Sequence, residues 1–238
     1  MNNIKTKAPN YTFALIVMFA VLFLIGFITT MNNSMIEFCK QAFNLKDSQG
    51  QLVNTAFYGA YALSIPFGLM MNKIGYKKTL LLGLAIVGIG FIINYLGISS
   101  LLGMETSVIY SVFLGSMFIV ALGIVMLQLV ANPYVMVLGS PEKGAFRMTL
   151  ANALNSAATT VAPVFITYVI IAGKAPTPDA VPTPYLGLGI FTLILCAILF
   201  FMKLPNINEA EQAEEASGEH KEYTVSYTHL TLPTTKSV

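Results

Sequence analysis

The sequence predicts an all-α membrane protein with six transmembrane helices. Composition is the first reason. Hydrophobic residues make up 55% of the 238 and charged residues only 10%, against about 25% charged in ordinary soluble domains. The second is segregation of charge: of the eleven acids, six lie between Glu209 and Glu222. The third is run length. Six apolar stretches approach the roughly 20 residues of helix that a hydrocarbon core requires. They lack the alternation of a membrane barrel. Backbone in lipid must satisfy its own hydrogen bonds, which leaves helices.

The expected spans are Thr12–Phe38, Leu52–Met71, Thr79–Leu96, Val108–Leu138, Met148–Ala172 and Tyr185–Met202. The first follows Lys5 and Lys7 and shows no small-residue cleavage site, so it reads as a retained helix rather than a signal peptide. With the N-terminus inside, the inner side carries Lys5, Lys7, Lys73, Lys77, Lys78, Lys143, Arg147 and Lys203. The outer side carries Lys40, Lys46 and Lys174. That bias predicts a cytoplasmic N-terminus and, after six helices, a cytoplasmic end to the bundle. Pro66, Pro133 and Pro163 fall inside spans and predict kinks. Gly83, Gly88, Gly90 and Gly115 predict close helix packing.

The chain therefore divides into an N-terminal segment 1–11, a six-helix unit 12–204 and a polar acidic segment 205–224. The last stretch, 225–238, changes character abruptly. It resembles translated sequencing-adapter read-through and is expected to be foreign to the fold. Cys39 and Cys196 do not form a disulfide framework and are expected to pack as small apolar residues.

Several chemistries find no residues to carry them. The histidines, His220 and His229, sit in the tail, and no His/Cys cluster has metal-ligand spacing. No Ser-His-Asp constellation can be assembled within the spans, and no Walker-type glycine loop is present. The expectation is a non-enzyme with no cofactor and no metal. The net charge of +2 is spread over membrane-flanking loops and gives no reason to expect nucleic acid.

What remains is a set of polar residues inside the spans, where polar groups by default mark function. The first span carries Thr29, Thr30, Asn32, Asn33 and Ser34, the fourth Gln128 and Asn132, and the fifth Asn152, Asn155 and Ser156. Side-chain amides both donate and accept hydrogen bonds. A cavity lined by them suits a neutral polyhydroxylated ligand such as a sugar; interhelical bonding is the competing use. Phe57, Tyr58 and Tyr61 could offer ring faces to the same cavity. Glu37, four residues beyond Asn33, is expected near the outer mouth on the same face.

The loop Gly68-Leu-Met-Met-Asn72-Lys73-Ile-Gly75-Tyr-Lys77-Lys78 resembles the signature loop of the major facilitator superfamily, between its second and third helices. Gln41-Ala-Phe43, Ala56-Phe57-Tyr58-Gly59-Ala60-Tyr61 with Pro66, Ala131-Asn132-Pro133-Tyr134-Val135 with Leu138-Gly139, and Phe146-Arg147 through Asn155-Ser156 resemble its fucose/glucose/galactose permease branch. The resemblance runs from about Tyr11 to Leu204. It implies one six-helix half of a major-facilitator fold, built from two inverted three-helix repeats, with the C-terminal half missing. It also implies import of a hexose or deoxyhexose with a proton or sodium, by alternating access.

The resemblance assigns gating roles to Gly68, Asn72, Gly75, Lys77, Lys78 and Arg147. Asn72 stands where the motif usually has an acid. Carboxylates of the proton-coupled relatives fall on Asn33 and Gln128, and a sugar-contact position falls on Asn152. Amides cannot titrate, so Asn33, Gln128 and Asn152 are expected to bind sugar hydroxyls. Coupling is left to sodium, to Glu37 or to the missing half. A facilitative uniporter and a self-contained six-helix scaffold or enzyme are the other readings.

Overall fold

The computed structural model describes residues 11–171 and 176–202. Lys5, Lys7, Lys174, Lys203 and the expected segments at 205–224 and 225–238 lie outside the described residues. Within them the chain runs α1 (Thr12–Ala42), α2 (Asp47–Gly50), α3 (Leu52–Gly59), α4 (Ser64–Ile74), α5 (Tyr76–Ser100), α6 (Thr106–Val137), α7 (Gly144–Phe165) and α8 (Thr183–Phe201). There is no strand among the described residues.

Four of these helices are long and apolar enough to cross a membrane by length and composition: α1, α5, α6 and α8. The second expected span is α3 and α4, joined by a tighter 3-10 turn at Ala60–Leu63. Pro66 accounts for the join. It donates no backbone N–H and crowds the carbonyl four residues back, which belongs to Ala62 within that turn. The fifth span is α7, which continues past Pro163 as a wider π turn at Ile166–Ile171. The Thr167 hydroxyl donates to the Pro163 carbonyl at 2.9 Å, giving one backbone acceptor beside the break a side-chain partner.

Helix length places the ends. At about 1.5 Å per residue, the 31 residues of α1 reach about 46 Å, more than the ~30 Å hydrocarbon core. Its last turns, with Glu37 and Lys40, therefore project to the interface. Between α4 and α5 the chain turns at Gly75, whose φ of 83° is a conformation L side chains rarely adopt.

Packing joins α5 to α6 along one side and to α8 along the other, while α1 lies along α7 and α3 and α4 lean on α6. Small residues set the α5–α6 distance. A Cβ on Gly123 would come within 2.7 Å of the Gly83 carbonyl and 2.9 Å of the Val87 backbone N. Gly88 and Gly189 hold α5 and α8 together in the same way, each with the other's carbonyl at 3.3–3.4 Å from its would-be Cβ. Gly115, expected at such a contact, faces open space. One side-chain bond reinforces the seam: Asn94 Nδ2 donates to the Ser116 hydroxyl at 2.7 Å, fully buried. Phe91, Phe113 and Tyr185 stack across α5, α6 and α8. Cys39 is buried and free, and Cys196 is half-buried and free.

These contacts make Gly123 the residue least open to change. Gly123→Ala should lower stability by about 1–3 kcal/mol, since backbone on both sides must move. Gly115→Ala, in open space, should be neutral or slightly stabilising. Thermal unfolding of the two purified variants in one detergent checks the contrast.

Candidate substrate site

The amide residues of α1, α6 and α7 do not all reach one surface. Asn33 is exposed, and its Nδ2 donates to the Tyr58 hydroxyl at 3.3 Å. The Tyr58 and Tyr61 rings lie 6.0 Å apart. Tyr61 in turn neighbours Gln128 on α6. A run of polar side chains thus connects α1, the α3–α4 turn and α6. Asn132 lies one turn along from Gln128 and is half-buried. On α7, Asn152, Ser156 and Thr159 are exposed at spacings of four and three, which puts them on one face.

Three residues expected on the wall are turned away from it. Asn155 donates from Nδ2 to the Leu22 carbonyl at 2.8 Å. Its backbone and amide lie 2.7–2.8 Å from where a Gly26 Cβ would stand, so Asn155 fastens α7 to α1. Phe57 is completely buried and meets Tyr58 edge-on, supporting that ring from behind. Asn32 is 2% exposed, and neither polar atom of its side chain has a partner among the described residues. Of the three aromatics, Tyr58 and Tyr61 rather than Phe57 reach the surface, a choice that spacing alone could not make, since residues three and four apart both share a face with Tyr61.

Glu37 is exposed near the end of α1. Its carboxylate pairs with Lys40 Nζ at 2.8 Å, and the same ammonium reaches Asp47 at 2.7 Å. The Lys40 hydrogen bond and charge hold the Asp47 carboxyl below the ordinary aspartate range. The ion group thereby ties the short α2 to the end of α1.

Two of the expected gating residues, Lys77 and Arg147, cap helix ends. Lys77 Nζ donates to the Met202 carbonyl at 2.5 Å, at the end of α8. Arg147 is buried and binds the end of α6: Nε donates to Val135 O at 3.1 Å and Nη1 to Ser140 O at 2.9 Å. Nη2 donates to Met136 O. A cation is favoured at a helix C-terminus, where carbonyls are left unpaired. Arg147 therefore does not meet the Gly68–Lys78 loop, where Asn72 and Lys78 are exposed. A Cβ on Gly68 would meet nothing within 4 Å.

The chain matches the Major Facilitator Superfamily over residues 18–234 and belongs to that family. Its helices form the N-terminal half of the fold. The chain is 36% identical to the glucose/galactose transporter of Brucella abortus biovar 1 (strain 9-941), over 95% of this chain and 54% of that protein. It is 26% identical to the L-fucose-proton symporter of Escherichia coli (strain K12), over 89% of this chain and 52% of that one. The crystal structure of FucP in the outward conformation overlays with a TM-score of 0.68 at 26% identity, covering 84% of this chain and 52% of that one. The xylose transporter XylE from E. coli, inward open, shares the fold with a TM-score of 0.67 at 15% identity, over 91% of this chain and 58% of that one. The chain spans about half the length of the curated relatives it matches.

Two outcomes follow from the polar contacts. Arg147→Lys leaves one ammonium to serve carbonyls that a guanidinium fork now holds, and should cost about 1–3 kcal/mol of stability; an unchanged melting temperature would show that those acceptors find other donors. Separately, the α2 anchor should weaken in acid. A carboxyl with a lowered folded pKa contributes fully above its ordinary range and loses that contribution as pH falls through the lowered value. The protection factors of the Gly50 and Gln51 amides, which bond to Lys46 and Asp47 carbonyls, should fall over that range once the intrinsic slowing of exchange in acid is divided out.

Proposed function

We propose that this chain is the N-terminal half of a secondary transporter that imports a hexose or deoxyhexose with a cation by alternating access. It would lie in a bacterial inner membrane with its N-terminus in the cytoplasm. The observation that carries this reading is the accessible polar path Asn33–Tyr58–Tyr61–Gln128, with Asn132 on α6 and Asn152 on α7. It offers donors and acceptors together with phenol rings, and no charge. A neutral polyol matches that lining; a charged substrate would leave its charge without a counter-ion. The sugar-transporting relatives support the same class.

The half described here supplies recognition rather than the titrating group. None of the described carboxylates lies in the middle of a span, and Glu37 is already paired with Lys40. The cation, a proton or sodium, is then coupled through the other half, or through Glu37 when its ion pair opens. A uniporter is the reading that follows if neither ion drives accumulation.

The test uses a full-length version in proteoliposomes, with radiolabelled glucose, galactose and fucose under imposed proton or sodium gradients. Asn33→Ala and Asn152→Ala should each raise KM for the transported sugar by roughly tenfold, or about 1.4 kcal/mol. Asn155→Ala should reduce the yield of folded protein and leave KM nearly unchanged. Proton-driven uptake that survives Glu37→Gln removes Glu37 from coupling. KM values indifferent to both Asn33 and Asn152 would sink the assignment of this wall to the sugar.

A further inference from the structure

We propose that a groove along α1, on the lipid-facing side of the bundle, holds one anionic glycerophospholipid. Its acyl chain would lie among phenylalanines and its phosphate beside Lys143. Two adjoining cavities form the groove. The first, about 410 Å3, lies between α1, α7 and α8 and is lined by Phe19, Phe23, Phe27, Leu154, Leu188 and Phe191 among others. The second, about 420 Å3, shares Phe19 and runs to the ends of α1 and α6, where Tyr11, Ser140, Lys143 and Arg147 line it.

Dimensions fit a lipid in one leaflet. Phe19 to Phe27 rises about 12 Å along the helix, close to the ~15 Å half-thickness of the hydrocarbon core. The polar mouth begins about two turns nearer the N-terminus, at Tyr11 and Thr12. An apolar trench that ends in a cationic, hydroxyl-bearing mouth has the polarity of a phospholipid.

The side of the bundle is settled by α7. Asn152, Ser156 and Thr159 mark its polar face, while exposed Phe146, Leu150 and Val161 mark another, and Phe146 and Leu150 line the groove. The opposite wall belongs to α8, which exposes Ile190, Phe191, Ile194 and Ile198. Both rims therefore face hydrocarbon rather than the polar path.

Charge selects the headgroup. Lys143 is exposed and forms no ion pair among the described residues. Arg147 stands beside it, fixed by carbonyls of the α6 end and facing no carboxylate. Glu142 does not line the mouth. A phosphate diester with no compensating amine, as in phosphatidylglycerol, completes the pairing; a zwitterionic headgroup brings its own cation.

The inference needs only that the helices span a bilayer, so it stands or falls apart from the sugar reading. The test places the 238-residue chain in phosphatidylcholine nanodiscs containing a few per cent of either phosphatidylglycerol or phosphatidylcholine with a mid-chain diazirine. After photolysis, labelled peptides are mapped by mass spectrometry. Phosphatidylglycerol should label the segments spanning Phe19–Phe27 and Leu188–Phe191 at least fivefold more than phosphatidylcholine. Lys143→Glu and Lys143→Gln, at an exposed position that should not disturb folding, should bring that ratio to within twofold. Ala20→Trp, which fills the trench, should reduce labelling there at least threefold while leaving exposed α5 sites unchanged. Equal labelling by both lipids, or a preference that survives both Lys143 variants, overturns the proposal. So does the absence of labelling in these segments in a full-length version, which would mean that another part of the protein covers the groove.

Discussion

In a bilayer no water is available to an unpaired peptide group, and each one left without a partner costs several kcal/mol. Most of this architecture is a response to that constraint. A long helix without interior proline meets it along its length, as in α5. Elsewhere side chains do so. Arg147 covers carbonyls at the end of α6 and Lys77 those at the end of α8. Thr79 returns its hydroxyl to the Gly75 carbonyl at 2.9 Å, where the chain reverses. Lys77 and Arg147 thus have a local use, independent of how they bias topology.

The same constraint explains why small residues, rather than larger apolar ones, hold the seams. Lipid tails are as apolar as leucine, so burying leucine between helices gains little over leaving it in lipid. Close approach gains dispersion contacts that lipid cannot match. At Gly83 and Gly123 the carbonyl of each helix lies at the other's missing Cβ. The pair α1–α7 repeats the device with Gly26 and adds the Asn155 hydrogen bond. Asn155 is thus used as an interhelical bond where a glycine lets the backbones meet, whereas Asn33 and Asn152 stay exposed.

That distinction decides how far the sequence could be read. Hydropathy and run length placed the four helices long and apolar enough to span, α1, α5, α6 and α8, and the segments quoted from Gln41 to Ser156 placed the family. The breaks at Pro66 and Pro163 were legible because proline removes a donor at a known offset. Which amides face the site was not legible. Asn152 and Asn155 are three apart, and helical spacing alone puts them on neighbouring faces; only the glycine on a different helix, at position 26, draws Asn155 inward. Asn32 and Asn33 are adjacent, and packing buries the first while leaving the second exposed. Gly115 and Gly123 look alike in sequence, and only the path of α5 separates open space from contact. Arg147 was read as part of a gate because its neighbours carry the family pattern, whereas its three bonds close the turn of its own hairpin.

The distribution of exposure bears on what the bundle does. Helix α4 buries none of its residues, and it presents Ile65 at 75% and Leu69 at 61% exposure. A helix so placed draws little stability from its neighbours here, so its sequence answers to something beyond this bundle. Gly68 lies between these residues with open space above it, and a glycine in an exposed helix costs about 1 kcal/mol relative to alanine. That cost is offset only if another backbone comes close, as happens at Gly83 and Gly123. On the proposed reading, the surface that approaches belongs to the other half of the transporter.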